Sequence, residues 1–133
     1  MDPSRLMNPY DALVAMVDVQ ENHYPTVVDG PGTLDRMARF VRAARVLEVP
    51  VVWTEHYPRA FGPTLPEMGH TLHGIDPIAK TSFGCFGEPR FADLVMEWDR
   101  STLVLVGSET HICIQQTGLQ ALERAMDVVV VAD

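Results

Sequence analysis

Two kinds of apolar pattern alternate along the chain. Ala12–Val17 and Thr102–Val106 are short continuous apolar runs that end at Asp18 and Gly107. Runs of this length, rich in β-branched residues, predict parallel strands buried on both faces. Val51–Thr54 is a third strand, and Asp127–Ala132, with valine at 128, 129, 130 and 131, is a final strand of the same buried type. Ile78-Ala79 is at most a stub leading into Lys80. Between the strands the period becomes helical. One helix starts at Thr33, its N-cap, and carries Leu34, Met37, Val41, Ala44 and Leu47 on one stripe, with arginines at 36, 39, 42 and 45 on wetter faces. A second opens at Pro89 with Phe91, Leu94, Val95 and Trp98 on one face. A third runs from Ile114 through Thr117, Gly118, Ala121, Leu122 and Ala125. Strands alternating with such helices predict an α/β fold with a parallel sheet and right-handed crossovers.

The remaining stretches are loops. Residues 19–32 are punctuated by Asn22, Pro25, Asp29-Gly30 and Pro31-Gly32, and residues 81–87 read as a turn-rich loop. Residues 55–74 are rich in Pro, Gly and His, and loops of that length are uncommon and often functional.

Chemistry enters at the strand ends. Cys113 falls in the first turn of a helix that follows a buried strand, where unpaired N–H groups and the helix dipole favour a thiolate. A nucleophile and an inert buried thiol are equally good readings of that position. Asp18 follows the first strand and precedes a loop rather than a helix, which weakens a capping role. In a doubly wound sheet it would face Cys113 across the crevice at the switch point. Lys80 is the one lysine beside nine arginines, a compact point charge inside a Gly/Phe loop or a chance surface residue. Gln20, Tyr24, Trp53, Phe83 and Phe86 lie near the crevice as candidates for a substrate-binding wall, with core packing as the rival for each.

Composition narrows the setting. A chain of 133 residues suits a single domain, residues 1–133, and a formal charge of −8 argues against nucleic acid and anionic membranes as partners. Two distant cysteines make neither a disulfide framework nor a zinc module. The N-terminus has no apolar leader core, and no apolar run approaches the span of a bilayer. A cytoplasmic protein with free thiols is expected.

Three motifs together carry a resemblance. Val17-Asp18-Val19-Gln20, Lys80-Thr81-Ser82-Phe83 with Phe86, and Gly107-Ser108-Glu109-Thr110-His111-Ile112-Cys113-Ile114 with Thr117 resemble the isochorismatase-like cysteine hydrolase superfamily, which includes nicotinamidase. Thr54-Glu55-His56-Tyr57-Pro58, with Gly62-Pro63-Thr64 and Pro66-Glu67, resembles its isochorismatase-domain hydrolases. The similarity runs from Ala12 through nearly the whole chain. It implies a three-layer αβα fold and an Asp-Lys-Cys triad in which Asp18 is the base, Lys80 holds it and Cys113 attacks. It also implies a cis peptide at Ser108-Glu109 and an oxyanion hole made by the backbone N–H groups of Glu109 and Cys113.

Two departures accompany the resemblance. Nicotinamidases hold zinc with an Asp-x-His pair after the second strand and a later His. Here that region reads Thr54-Glu55-His56-Tyr57, and His70 with His73 lacks a third ligand, so no metal and no cofactor are expected. Family members also continue past the strand at 127–132 with a further strand and helices, which this chain lacks. Either it is a fragment or a partner subunit covers the edge, and a homo-oligomer, a dimer or higher, follows from the second.

The function so implied is hydrolysis of a C–N (amide-like) bond of a small, planar substrate through a thioester. The alternatives are a non-catalytic oligomeric scaffold, a vinyl-ether hydrolase of the isochorismatase type that needs no thiol, and a redox thiol with Cys85 as partner. Fast, Asp18-dependent alkylation of Cys113 near neutral pH is the expected mark of the enzyme.

Overall fold

A computed structural model describes residues 6–132. The start of the N-terminal leader reading, residues 1–5, and the terminal residue 133 lie outside the described residues. Five strands form one sheet: β1 (Ala12–Val17), β2 (Val51–His56), β3 (Ile78–Lys80), β4 (Thr102–Gly107) and β5 (Asp127–Val130). Their order is β3-β2-β1-β4-β5 and every pairing is parallel. The order reverses between β1 and β4, so the sheet is doubly wound with its switch point between those strands.

Helices cover both faces. Ala12, Val14 and Met16 pack against Leu34, Ala38 and Val41 of α1 (Gly30–Val46) and Met68 of α3 (Pro66–Thr71). Leu13, Ala15 and Val17 pack against Phe91 and Val95 of α4 (Pro89–Trp98) and Ala121 of α5 (Gln115–Glu123). Alternate residues of β1 thus face opposite layers, which is why its sequence is apolar throughout. The result is the three-layer αβα fold.

Several boundaries differ from the sequence reading. α1 begins three residues before Thr33, at Gly30, with Asp29 as its N-cap and the Thr33 N–H bonded to the Asp29 carbonyl. Leu47 and Trp98, assigned to apolar stripes, are exposed at helix ends. Residues 55–74 hold the end of β2, a single helical turn, α2 (Pro58–Phe61), and α3. β5 is half exposed, an edge strand with β4 as its one neighbour among the described residues. No helix among the described residues is long and apolar enough to cross a membrane.

Candidate active site

The carboxyl ends of β1, β2, β3 and β4 meet at the switch point. Register sets Val17 of β1 beside both Thr54 of β2 and Gly107 of β4, and His56 of β2 beside Lys80 of β3. Asp18 leaves β1 with φ of 53°, in the left-handed region that Asp tolerates better than branched residues do. Gly107 leaves β4 with φ of 120°, and a Cβ there would strike the Val17 backbone. Only glycine lets the two strand ends lie this close, with the Ser108 N–H donating to the Val17 carbonyl at 2.8 Å.

Asp18, Lys80 and Cys113 converge. The Lys80 Nζ lies 2.9 Å from Asp18 Oδ2, with both side chains fully buried, and 3.5 Å from Cys113 Sγ. Lys80 also donates to the Ser82 carbonyl at 2.9 Å and the Phe83 carbonyl at 3.1 Å. Three short acceptors match the three protons of an ammonium. On the other side of Asp18, the Thr54 hydroxyl donates to Oδ1 at 2.8 Å. A buried carboxylate is thereby held by one ion pair and one hydrogen bond, which offset its desolvation.

Cys113 does not sit in the first turn of the α-helix. It lies in a π-helical turn, Thr110–Ile114, that precedes α5. The Thr117 hydroxyl anchors that turn, donating to the Cys113 carbonyl at 2.7 Å and accepting from the Cys85 N–H at 2.9 Å. The thiol is not acidified either. Burial first, and the adjacent Asp18 second, push the Cys113 pKa up to about 12, with Lys80 only partly opposing them. Desolvation outweighs the dipole argument made from the sequence. At rest the sulfur is a protonated thiol beside a carboxylate. Burial likewise pushes Cys85 up to about 11, and its sulfur lies 3.9 Å from the Thr54 hydroxyl, behind the cluster.

The other candidates divide. Phe83 is exposed and lies on His56, with ring centroids 5.5 Å apart, at the rim of the cluster. Gln20 is fully buried, and its amide is spent on backbone: it accepts from the His56 N–H at 2.7 Å and donates to the His56 carbonyl at 3.0 Å and the Gly62 carbonyl at 2.8 Å. Trp53 is a core residue whose indole donates to the Ile75 carbonyl. Phe86 packs edge-on against Phe91 under Arg124. Tyr24 is buried beside Ser108 and lines a cleft of about 800 Å³ with Met37, Phe40, Val131 and the loop residues Ser108 and Glu109; Asp18, Lys80 and Cys113 do not line it. The Ser108-Glu109 peptide is cis. His111, at the surface, pairs with Glu109 at 3.5 Å.

Two residues of the cluster escaped the sequence reading. Thr54 holds Asp18, and its signal was its place opposite the end of β1. His56 is the other: its Nδ1 lies 3.3 Å from the Lys80 Nζ. Donor atoms of Asp18, His56 and Cys113 all fall within 4.8 Å of one another, a spacing that can suit a metal ion. The Lys80 ammonium stands among them, so a dication would have to share the space with a buried fixed cation.

Comparison with known proteins agrees with this architecture. The model of the isochorismatase domain family matches residues 11–133. Isochorismatase domain-containing protein 2 of Danio rerio is 36% identical over 122 residues, covering 92% of this chain and 61% of that protein. The structure of MAR1 ribonuclease from Caenorhabditis elegans superposes with a TM-score of 0.86 at 31% identity, covering 94% of this chain and 64% of its own. YcaC from Pseudomonas aeruginosa, with hexane-2,5-diol and covalent acrylamide, gives 0.87 at 26% identity, covering 98% and 66%. The chain thus spans about three fifths of the length of the curated relative it matches.

Proposed function

Because the chain belongs to the isochorismatase family, we propose that it is a cysteine hydrolase that cleaves an amide-like C–N bond of a small substrate. The observation that carries this reading is the single ammonium of Lys80, 2.9 Å from the Asp18 carboxylate and 3.5 Å from the Cys113 sulfur. A base, a nucleophile and the charge that orients both share one cluster.

The steps follow from the resting protonation states. As Cys113 Sγ bonds to the substrate carbonyl carbon, its proton passes to Asp18. The carbonyl oxygen becomes an oxyanion, which this reading assigns to the backbone N–H groups of Glu109 and Cys113. Collapse breaks the C–N bond, and Asp18 returns the proton to the leaving nitrogen. Water then attacks the thioester while Asp18 accepts its proton. The carboxylic acid departs, and the proton on Asp18 restores the thiol. Lys80 takes no part in these proton transfers; its hydrogens go to Asp18 and to the Ser82 and Phe83 carbonyls.

Covalent acrylamide in a relative of the same fold supports a nucleophile in this architecture. A relative named for ribonuclease activity raises a second substrate class, but a formal charge of −8 disfavours a polyanion here. Vinyl-ether hydrolysis would leave the buried thiol without a task. We assign no cofactor, and we expect the protein to act as a homo-oligomer. The test is a panel of small amides with ammonia detection. Release by the native protein and none by Cys113→Ala supports the reading; equal release by both, or none from any amide by either, defeats it.

A further inference from the structure

Five acceptor atoms surround the Lys80 ammonium, and three of them take its protons at 2.9–3.1 Å. The other two are Cys113 Sγ at 3.5 Å and His56 Nδ1 at 3.3 Å. An ammonium offers hydrogens and no lone pair. The nitrogen that faces it must therefore be unprotonated, which puts the neutral ring's proton on Nε2. Protonating Nδ1 would set an N–H against an N–H in a partly desolvated site, with two cations in contact. Burial first, and Lys80 second, hold the His56 pKa below its usual range; Asp18 and the Ser82 carbonyl pull the other way, and His23 adds to the lowering. The Ser82 carbonyl, which also accepts from Lys80, is the acceptor within reach of a ring N–H.

The backbone beneath the ring is fixed, and the ring is half-buried. Gln20 clamps the His56 backbone from both sides, and the ring stacks against Phe83 and lies 5.6 Å from Phe61. The titratable groups that face it are Asp18 and His23 from the end of β1 and its loop, Lys80 from β3 and Cys113 from the π turn. Protonation of His56 sets a second cation against the Lys80 ammonium at 3.3 Å, and separation of the two relieves it.

We propose that His56 is a positioning residue of this site: neutral, it completes the shell that holds the Lys80 ammonium between Asp18 and Cys113, and as an imidazolium it drives that ammonium off both. The inference rests on the hydrolase reading for its consequence, a loss of activity in acid, but not for its geometry. His56 acts through Lys80 and needs no contact with substrate.

Two measurements test it. The first is the pH dependence of amide hydrolysis by the native protein and by His56→Gln, each scaled to its own plateau above neutrality. The native rate is expected to fall about tenfold per pH unit below the His56 midpoint. Gln, which can accept from Lys80 but cannot become a cation, should hold the plateau to lower pH. The same acid limb in both proteins overturns the proposal. The second is the nitrogen chemical shifts of His56 in the native protein by NMR. Near neutral pH they should report the Nε2–H tautomer, with a midpoint below the ordinary value of about 6.5. An Nδ1–H tautomer or an ordinary midpoint overturns the proposal whether or not the protein hydrolyses amides. Absence of hydrolysis at every pH defeats the hydrolase reading alone.

Discussion

At the scale of single residues, the account turns on the competition between burial and charge at Cys113. A thiol pushed up to about 12 is almost wholly protonated at neutral pH, so its reactivity toward substrate must come from a base that takes the proton during attack. Asp18 raises that pKa and is also the base in the proposed mechanism. Two readouts should therefore separate in Asp18→Asn. Hydrolysis should fall about 10²–10⁴-fold with loss of the base. Alkylation of Cys113 by iodoacetamide should reach its midpoint at lower pH than in the native protein, because the charge that disfavours thiolate is gone and the Lys80 ammonium remains. This reverses the sequence-based expectation that Asp18 promotes a resting thiolate. An unchanged or higher midpoint would contradict the assignment. Thr54→Val keeps the shape of the side chain and removes the hydrogen bond to Asp18 Oδ1. It should cost about 1.5–3 kcal/mol in denaturant unfolding, the range for a hydrogen bond to a charged group.

At the scale of elements, strand ends rather than helices build the cluster. The approach of β4 to β1 depends on Gly107. Gly107→Ala adds a Cβ against the Val17 backbone at a positive φ, and should destabilise by at least about 2 kcal/mol, read by urea unfolding. Stability within 0.5 kcal/mol of native, about the noise of a neutral surface change, would show that the strand ends can part freely. β1 and β4 were legible in the sequence because a strand buried on both faces has no polar positions to confuse its period. β5 has the same composition, and its half-exposure follows from its place at the sheet edge and not from its residues. α2 and α3 were missed because each is too short to show a period, and Pro58 and Pro66 at their starts also signal loops. The sequence placed Cys113 after β4 correctly, but the π turn has no pattern of its own.

The same division runs through the site. The meeting of Asp18, Lys80 and Cys113 was legible through the three motifs of the resemblance: Asp18 and Cys113 follow β1 and β4, Lys80 ends β3, and parallel strands deliver their carboxyl ends to one edge. Their neighbours were not. Gln20, Tyr24, Trp53 and Phe86 were placed near the crevice only by lying in loops or at strand ends, and direction decided their fates: Gln20 turns onto backbone, Trp53 and Phe86 into the two core layers, and Tyr24 into the cleft beside Ser108 and Glu109. His56 and Thr54 became visible only through the pairing of β2 with its two neighbours.

At the scale of the whole molecule, two buried thiols with raised pKa values tie stability to pH. In an unfolded chain both would ionise near 9.0; in the folded protein they hold their protons to about 11 and about 12. Between those limits the unfolded state binds fewer protons, so stability is fully present below about 9 and is lost as pH rises further. The urea midpoint should fall between pH 9 and pH 11, and Cys85→Ala should flatten that fall; a midpoint that stays level over this range would contradict the burial-driven shifts. Leu119, Leu122 and Val130, on α5 and β5, leave large apolar side chains half exposed. Light scattering should find an assembly larger than one chain, with Leu122→Lys reducing it; a monomer at all concentrations would remove the oligomer from the account.

The most direct test of the whole proposal is to quench the protein in mid-turnover with an amide that it hydrolyses and to map the acylated residue by peptide mass spectrometry. The account predicts the acyl mass on Cys113, absent from Cys85 and absent from the Asp18→Asn protein. Turnover with no acyl group on Cys113, or with the group on any other residue, would contradict it.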